Sequence, residues 1–181
     1  MDRTPGIRPR PTLLRQLDAA SRHAFPVACT NLLVLAASAP LGLPGQSALQ
    51  PATALGCVFF WSLFRPASMS PLAVFLIGLL CDLLGLSPVG ASVLTLLVVH
   101  GVAMRWRRVL VRQNFPVVWL AFLVLAVGAA LLQWALTCAL TLTVLPVEPV
   151  AFQVAVTAGL YPLLSRLFVQ AHRGLADPRQ A

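Results

Sequence analysis

The chain has few acids, no lysine and no clustered metal ligands, and each scarcity removes a class of function. Only five of its 181 residues are Asp or Glu. Asp2, Asp18 and Asp177 lie in the tails, Glu148 lies between two apolar runs, and Asp82 stands alone inside one. The three histidines, His23, His100 and His172, fall near the ends of apolar runs on the side away from Asp82. Chemistry on a lipid-linked substrate needs acid–base or nucleophilic groups brought together, usually with a metal- or phosphate-binding cluster. Nothing here resembles a catalytic pair, so no catalytic residue is expected and the chain does not read as an enzyme. Four cysteines, Cys29, Cys57, Cys81 and Cys138, occur one per apolar segment, without a CxxC pair or a nearby histidine. They read as small apolar side chains in helices; no metal, cofactor or disulfide framework is expected.

Charge of either sign is scarce. Charged residues make up 10% of the chain, where a soluble domain carries about 25%. Hydrophobic residues make up 59%, and the mean hydropathy is +0.85. Several apolar runs approach the roughly 20 residues that cross a ~30 Å hydrocarbon core as a helix. The expected fold class is therefore all-α, a polytopic membrane protein with six transmembrane helices, no internal repeat and no soluble domain. The spans read as residues 24–41, 48–64, 71–86, 90–105, 116–145 and 150–169.

All thirteen basic residues are arginine, a usage that reads as codon bias rather than mechanism. The net charge of +8 and pI near 11.3 would suggest nucleic acid in a soluble chain, but placement argues against nucleic-acid binding. One side collects the N-terminal arginines, Arg65, the Arg105, Arg107, Arg108 and Arg112 loop, and Arg166, Arg173 and Arg179; the other side has only Glu148. Six spans with both termini cytoplasmic satisfy the positive-inside rule for every arginine. The basic loop itself could meet anionic lipid headgroups or an acidic partner, although topology alone accounts for it. Charge parity does not distinguish full crossing from re-entry for segments three and four, because Arg65 and Arg105 share a side either way.

Residues 1–23 form a basic Pro/Arg-rich cytoplasmic segment before a membrane domain at 24–170 and a tail at 171–181. Pro5, Pro9 and Pro11 keep its start extended. From Thr12 onward, Leu13, Leu14, Leu17 and Ala20 share a helical face, as a short interfacial helix or a frayed tail would. Ala37-Ser38-Ala39 resembles a small-residue cleavage site, but the Pro40 that follows is a poor junction residue, so the first span is expected to stay uncleaved.

The stretch from Phe75 to Val99 organises the rest: two apolar runs joined by Ser87-Pro88-Val89-Gly90, with Asp82 inside the first. Asp82 lies six residues before Pro88, ~9 Å below the outer end of its helix. A charged Asp at mid-membrane costs ~2.5–3.5 kcal/mol on insertion scales, less nearer the interface, so it should face protein. Depth counting places Thr95, Thr141 and Thr157 at its level and Gln133 deeper. Asp82 is then either protonated or held by hydroxyls, backbone and the positive end of the helix starting near Gly90. The reading is a hydrogen-bonded helix lock, with a ligand or proton site and a contact to another membrane subunit as the alternatives.

Gly78-Leu-Leu-Cys-Asp82-Leu-Leu-Gly-Leu-Ser-Pro88-Val-Gly90 resembles the signature of the MreD family, the bacterial rod shape-determining membrane proteins. The family shows G-x-x-x-D-[LI]-L, a short turn and P-[LV]-G, then a helix and a basic loop. The matching positions are Gly78, Asp82, Leu83, Leu84, Pro88 and Gly90, followed by Arg105 to Arg112. The similarity extends over about residues 55–173, through Phe60-Trp61, Arg65-Pro66 and Tyr161-Pro162; the Pro/Arg-rich N-terminus is outside it. The resemblance implies an inner-membrane scaffold of the elongation complex that binds MreC and works with MreB, RodA and the elongation transpeptidase. It would support lateral peptidoglycan synthesis and cell shape, without enzymatic activity. It also implies a six-helix arrangement similar to the substrate-binding subunits of energy-coupling-factor transporters. That similarity supplies the alternative function, a small-molecule-binding subunit of a transporter; a lipid-handling protein, the other rival, would need a polar groove across the membrane, and the deeper halves of the spans are too apolar for one.

Overall fold

Among the described residues, six α-helices form where the apolar runs fall: α1 (Leu13–Ser38), α2 (Leu49–Phe64, entered through a 3-10 turn at Gln46–Ala48), α3 (Pro71–Leu84), α4 (Ala91–Leu110), α5 (Phe115–Thr141) and α6 (Glu148–Ala176). The computed structural model describes residues 13–39, 42, 46–85 and 87–176, the side chains of 13–23 and 168–176 excepted. The Pro/Arg-rich start at residues 1–12 and the tail at 177–181 lie outside the described residues.

Several boundaries differ from the sequence expectation for local reasons. The short interfacial helix expected after Thr12 is not separate from the first span; α1 runs through both, with Pro26 inside it. Thr30 Oγ donates to the Pro26 carbonyl at 2.7 Å, one turn on. α5 stops at Thr141 rather than 145, because Leu142 turns into the left-handed region (φ 54°) and Pro146 disfavours helix at the residue before it. α6 runs on to Ala176 instead of ending at 169, and α4 continues to Leu110 instead of ending at 105. Arg105, Arg107 and Arg108 are thus helical residues, and the expected basic loop shrinks to the turn at 111–114, which holds Arg112. Arginine is a good helix former and cations are favoured in a last helical turn, so the charge that ends the apolar run does not end the helix.

α2 is the centre of the bundle. It packs against α1, α4 and α6, while α3 packs on α4 and α5 bridges α4 and α6. Every residue of α2 from Ala52 to Leu63 is buried. Around it, Phe59, Phe122 and Tyr161 form a ring cluster, with Phe122 and Tyr161 stacked at 4.1 Å and Phe59 5.7 Å from Tyr161. Such pairs add about 0.5–1.5 kcal/mol each beyond their area. The periphery is apolar too: Leu72, Leu83, Val124 and Leu163 are each more than two-thirds exposed. Among the described residues, three helices, Gln46–Phe64, Phe115–Thr141 and Glu148–Leu167, are long and apolar enough to cross a membrane; Ala24–Ser38 and Pro71–Leu84 are shorter apolar helices.

Candidate functional site

The α3–α4 hairpin is built so that the end of one helix caps the start of the next. α3 begins at Ser70, whose hydroxyl accepts from Ala73 N at 3.2 Å, with Pro71 in the first turn where its missing N–H costs nothing. It ends at Gly85. The chain then turns through Pro88, whose carbonyl accepts from Ala91 N, and enters α4 at Gly90 with φ +100°, a conformation that glycine adopts without strain.

Asp82 sits one turn before the end of α3, 4% exposed. Its Oδ2 accepts from Gly90 N at 2.7 Å and its Oδ1 from Ser92 N at 3.0 Å, with Val93 N at 3.5 Å from Oδ2. The first N–H groups of any helix lack intrahelical partners and carry the positive end of its dipole. Here the neighbouring helix supplies the missing acceptor, and in return α4 stabilises a carboxylate that no basic side chain reaches among the described residues. The 2.7 Å and 3.0 Å distances are those of well-formed N–H···O hydrogen bonds.

Gly78 lies four residues before Asp82 and therefore on the same face of α3. A Cβ at this position would stand 2.6 Å from Val93 Cα and 3.0 Å from Val93 N, so the two backbones touch. Only glycine permits that approach, and the approach is what brings Asp82 within reach of the α4 N–H groups. Two further helices join the junction. From α2, Gln50 Nε2 donates at 3.0 Å to the Cys81 carbonyl, which also accepts from Gly85 N at 2.8 Å. From α5, Gln133 Nε2 donates to Ser92 Oγ at 3.4 Å.

The other residues singled out in the sequence sit elsewhere. Thr95, Thr141 and Thr157 each donate to the carbonyl four residues back, at 2.6–2.8 Å: Ala91, Thr137 and Gln153 respectively. Thr95 and Thr157 are buried and Thr141 is exposed, and none of these hydroxyls bonds to Asp82. Depth counting gives the level of a side chain and not its direction around the helix, and an in-helix acceptor competes for every hydroxyl. Leu83 and Leu84 turn outward, 69% and 43% exposed. Arg105, Arg108 and Arg112 are exposed. Arg107 instead reaches back across the bundle, its Nε donating to the Leu63 carbonyl at 2.7 Å, and so closes the C-terminal end of α2.

Sequence reasoning singled out neither Gln50 nor the capping role of Arg107, and it passed over the buried pair of Ser62 Oγ and His100 Nδ1, 2.8 Å apart between α2 and α4. The available signal was polar residues at internal positions of otherwise apolar helices. Replacing Arg107 with Ala should cost about 1–2 kcal/mol, a charge-assisted hydrogen bond to a helix-end carbonyl, whereas Arg105→Ala should fall within about 0.5 kcal/mol. Thermal unfolding of the two variants in the same detergent reads the difference.

Beside the junction lies a cavity of about 370 Å3, with Gln50, Cys81, Ser87, Ser92 and Gln133 in its wall. Its polar lining consists of neutral amides and hydroxyls. Among the described residues, no group of three His, Cys, Asp or Glu side chains could hold a metal ion. Comparison of the chain with protein-family models, with curated proteins and with solved structures gives no match.

Proposed function

We propose that the chain is a six-span protein of the bacterial inner membrane with both termini cytoplasmic, acting as a scaffold of the elongation complex. In this reading it binds MreC through helix packing in the membrane and holds it near MreB, RodA and the elongation transpeptidase during lateral peptidoglycan synthesis. One observation carries the proposal. Of the six positions that make the sequence resemble MreD, Gly78, Asp82, Pro88 and Gly90 converge on a single junction, while Leu83 and Leu84 face outward. Gly78 sets the helix spacing, Asp82 caps, Gly90 provides the reversal and Pro88 closes the turn. Residues joined by one structural task are a stronger basis for resemblance than the same letters scattered over the fold.

The mode of action follows from the solvent. Lipid offers no hydrophobic drive between helices, so partners associate by close packing and hydrogen bonding, and a rigid helix pair is the better docking surface. Depletion of the protein in its native rod-shaped host should round the cells, and affinity purification of the chain should recover MreC. Normal shape together with no MreC in the purified material would overturn the scaffold reading.

The cavity of about 370 Å3 beside the junction favours a second reading, a small-molecule-binding membrane subunit of a transporter like those of the energy-coupling-factor type. Its volume lies in the range of small-ligand sites. That reading requires a neutral ligand, because the lining amides and hydroxyls carry no charge.

A further inference from the structure

A second cavity, of about 570 Å3, opens at the opposite end of the bundle from Asp82. Phe60 and Phe64 of α2, Phe115 and Val118 of α5, and Tyr161 of α6 line it, and Arg166 stands at its edge. The apolar wall is held in place from behind: Phe60 and Phe64 pack at 4.7 Å, and Tyr161 is stacked on Phe122. Phe64 and Phe115 are about half exposed at its rim, 47% and 52%, and Arg166 is exposed. An apolar slot closed by rings and edged by a guanidinium is complementary to an anionic amphiphile.

The surroundings reinforce the charge argument. Arg108 and Arg112 are exposed where α4 turns into α5, beside the Val111 that also lines the slot. Of the acids whose side chains are described, Glu148 begins α6, eighteen residues or ~27 Å along the helix from Arg166, and Asp82 lies at the far end of α3. The slot draws on one turn of α2 and less than two turns of α6, ~8 Å of helix length, which is too short to seat a helix 10–12 Å across. An acyl chain fits where a helix does not.

We propose that this slot holds one acidic phospholipid of the cytoplasmic leaflet, with an acyl chain against Phe64, Phe115 and Val118 and the phosphate at Arg166. The inference rests on the membrane orientation given under the proposed function but not on the scaffold role, so lipid retention and cell shape can fail independently.

The test uses the full chain purified in a neutral detergent and incubated with equal amounts of phosphatidylglycerol and phosphatidylcholine. Retained lipid is counted by native mass spectrometry, and folding of each variant is checked by thermal unfolding. The wild type should retain phosphatidylglycerol over phosphatidylcholine by about fivefold, the worth of one arginine near an anionic headgroup. Arg166→Gln should bring that ratio close to one. Val111→Trp, which fills the slot from its exposed rim, should lower retention of both lipids, and Arg105→Gln, outside the slot, should leave the ratio unchanged. A wild-type ratio near one overturns the proposal. So does an Arg105→Gln loss equal to that of Arg166→Gln, which would mean a general cationic surface. A lipid-free wild-type dimer that Val111→Trp dissociates would assign the slot to a second copy of the chain. Should Val111→Trp fail to fold, the Arg166→Gln and Arg105→Gln pair decides alone.

Discussion

An Asp82→Ala variant is expected to lose about 3 kcal/mol of stability, the largest loss of any single polar truncation in the bundle. The figure follows from what the carboxylate does. It accepts from Gly90 N and Ser92 N with good geometry and approaches Val93 N. A hydrogen bond to a charged group is worth ~1.5–3 kcal/mol, and a buried donor left unpaired costs ~1–3 kcal/mol. Alanine removes the acceptor and carries none in its place, so the first turn of α4 loses its side-chain cap. For a chain of this length each kcal/mol moves the melting temperature by roughly 2–4 °C, so thermal unfolding in mild detergent should show a fall of about 10 °C. Asp82→Asn separates capping from charge. Its single carbonyl oxygen can still accept one of the two short bonds, so the loss should be about half as large. An Asp82→Ala protein that melts with the parent would sink the capping role. If the proposed scaffold role holds, a stable Asp82→Asn protein that fails to restore cell shape in a depleted host would move Asp82 from structure to charge-dependent function.

How much of this was legible beforehand depends on the kind of contact. The six apolar segments coincide with six helices among the described residues because apolar run length is recorded one residue at a time, in composition. Asp82 stood out for the same reason, as a lone carboxylate in an apolar run. What it touches was only partly legible. The turn and Gly90 put a helix start nearby in sequence, so backbone capping was among the open possibilities, whereas Thr95, Thr141 and Thr157 shared only a depth with Asp82. Rotation about a helix axis is decided by packing against other helices. For that reason Gln50 on Cys81, thirty-one residues away, and Ser62 on His100, thirty-eight away, left no local pattern. Arg107 misled in a different way. Its charge gave the correct level along the bundle, yet clustered arginines read as a loop, and the side chain in fact completes the end of α2 from a continuing helix. The aromatic slot near Arg166 was equally hidden, because its rings come from α2, α5 and α6 and none is unusual in its own segment.

Gly78 yields the other large effect and the cleaner control. Substitution by Leu should separate α3 from α4 and abolish the fold of the hairpin, and even Gly78→Ala should cost about 1–3 kcal/mol, the usual penalty for overpacking. The obstacle is backbone, since a Cβ at residue 78 meets Val93 Cα at 2.6 Å and Val93 N at 3.0 Å, and neither atom can rotate away as a side chain would. Relief requires sliding the helices apart, which stretches the 2.7 Å and 3.0 Å bonds from Asp82 to Gly90 N and Ser92 N. The two residues should therefore be coupled: in a double-mutant cycle, Gly78→Ala and Asp82→Ala should cost less together than the sum of the two single losses, by about 1 kcal/mol or more. Gly101, on the same helix as Val93, has nothing within 4 Å of an added Cβ. Gly101→Ala should therefore be neutral or slightly stabilising through helix propensity, by up to ~1 kcal/mol. Thermal unfolding of the four proteins in one detergent, with wild type as reference, measures all of this. Strict additivity of Gly78→Ala and Asp82→Ala would show that spacing and capping are separate features; sub-additivity would show that glycine is required at residue 78 because the carboxylate four residues later must reach the next helix.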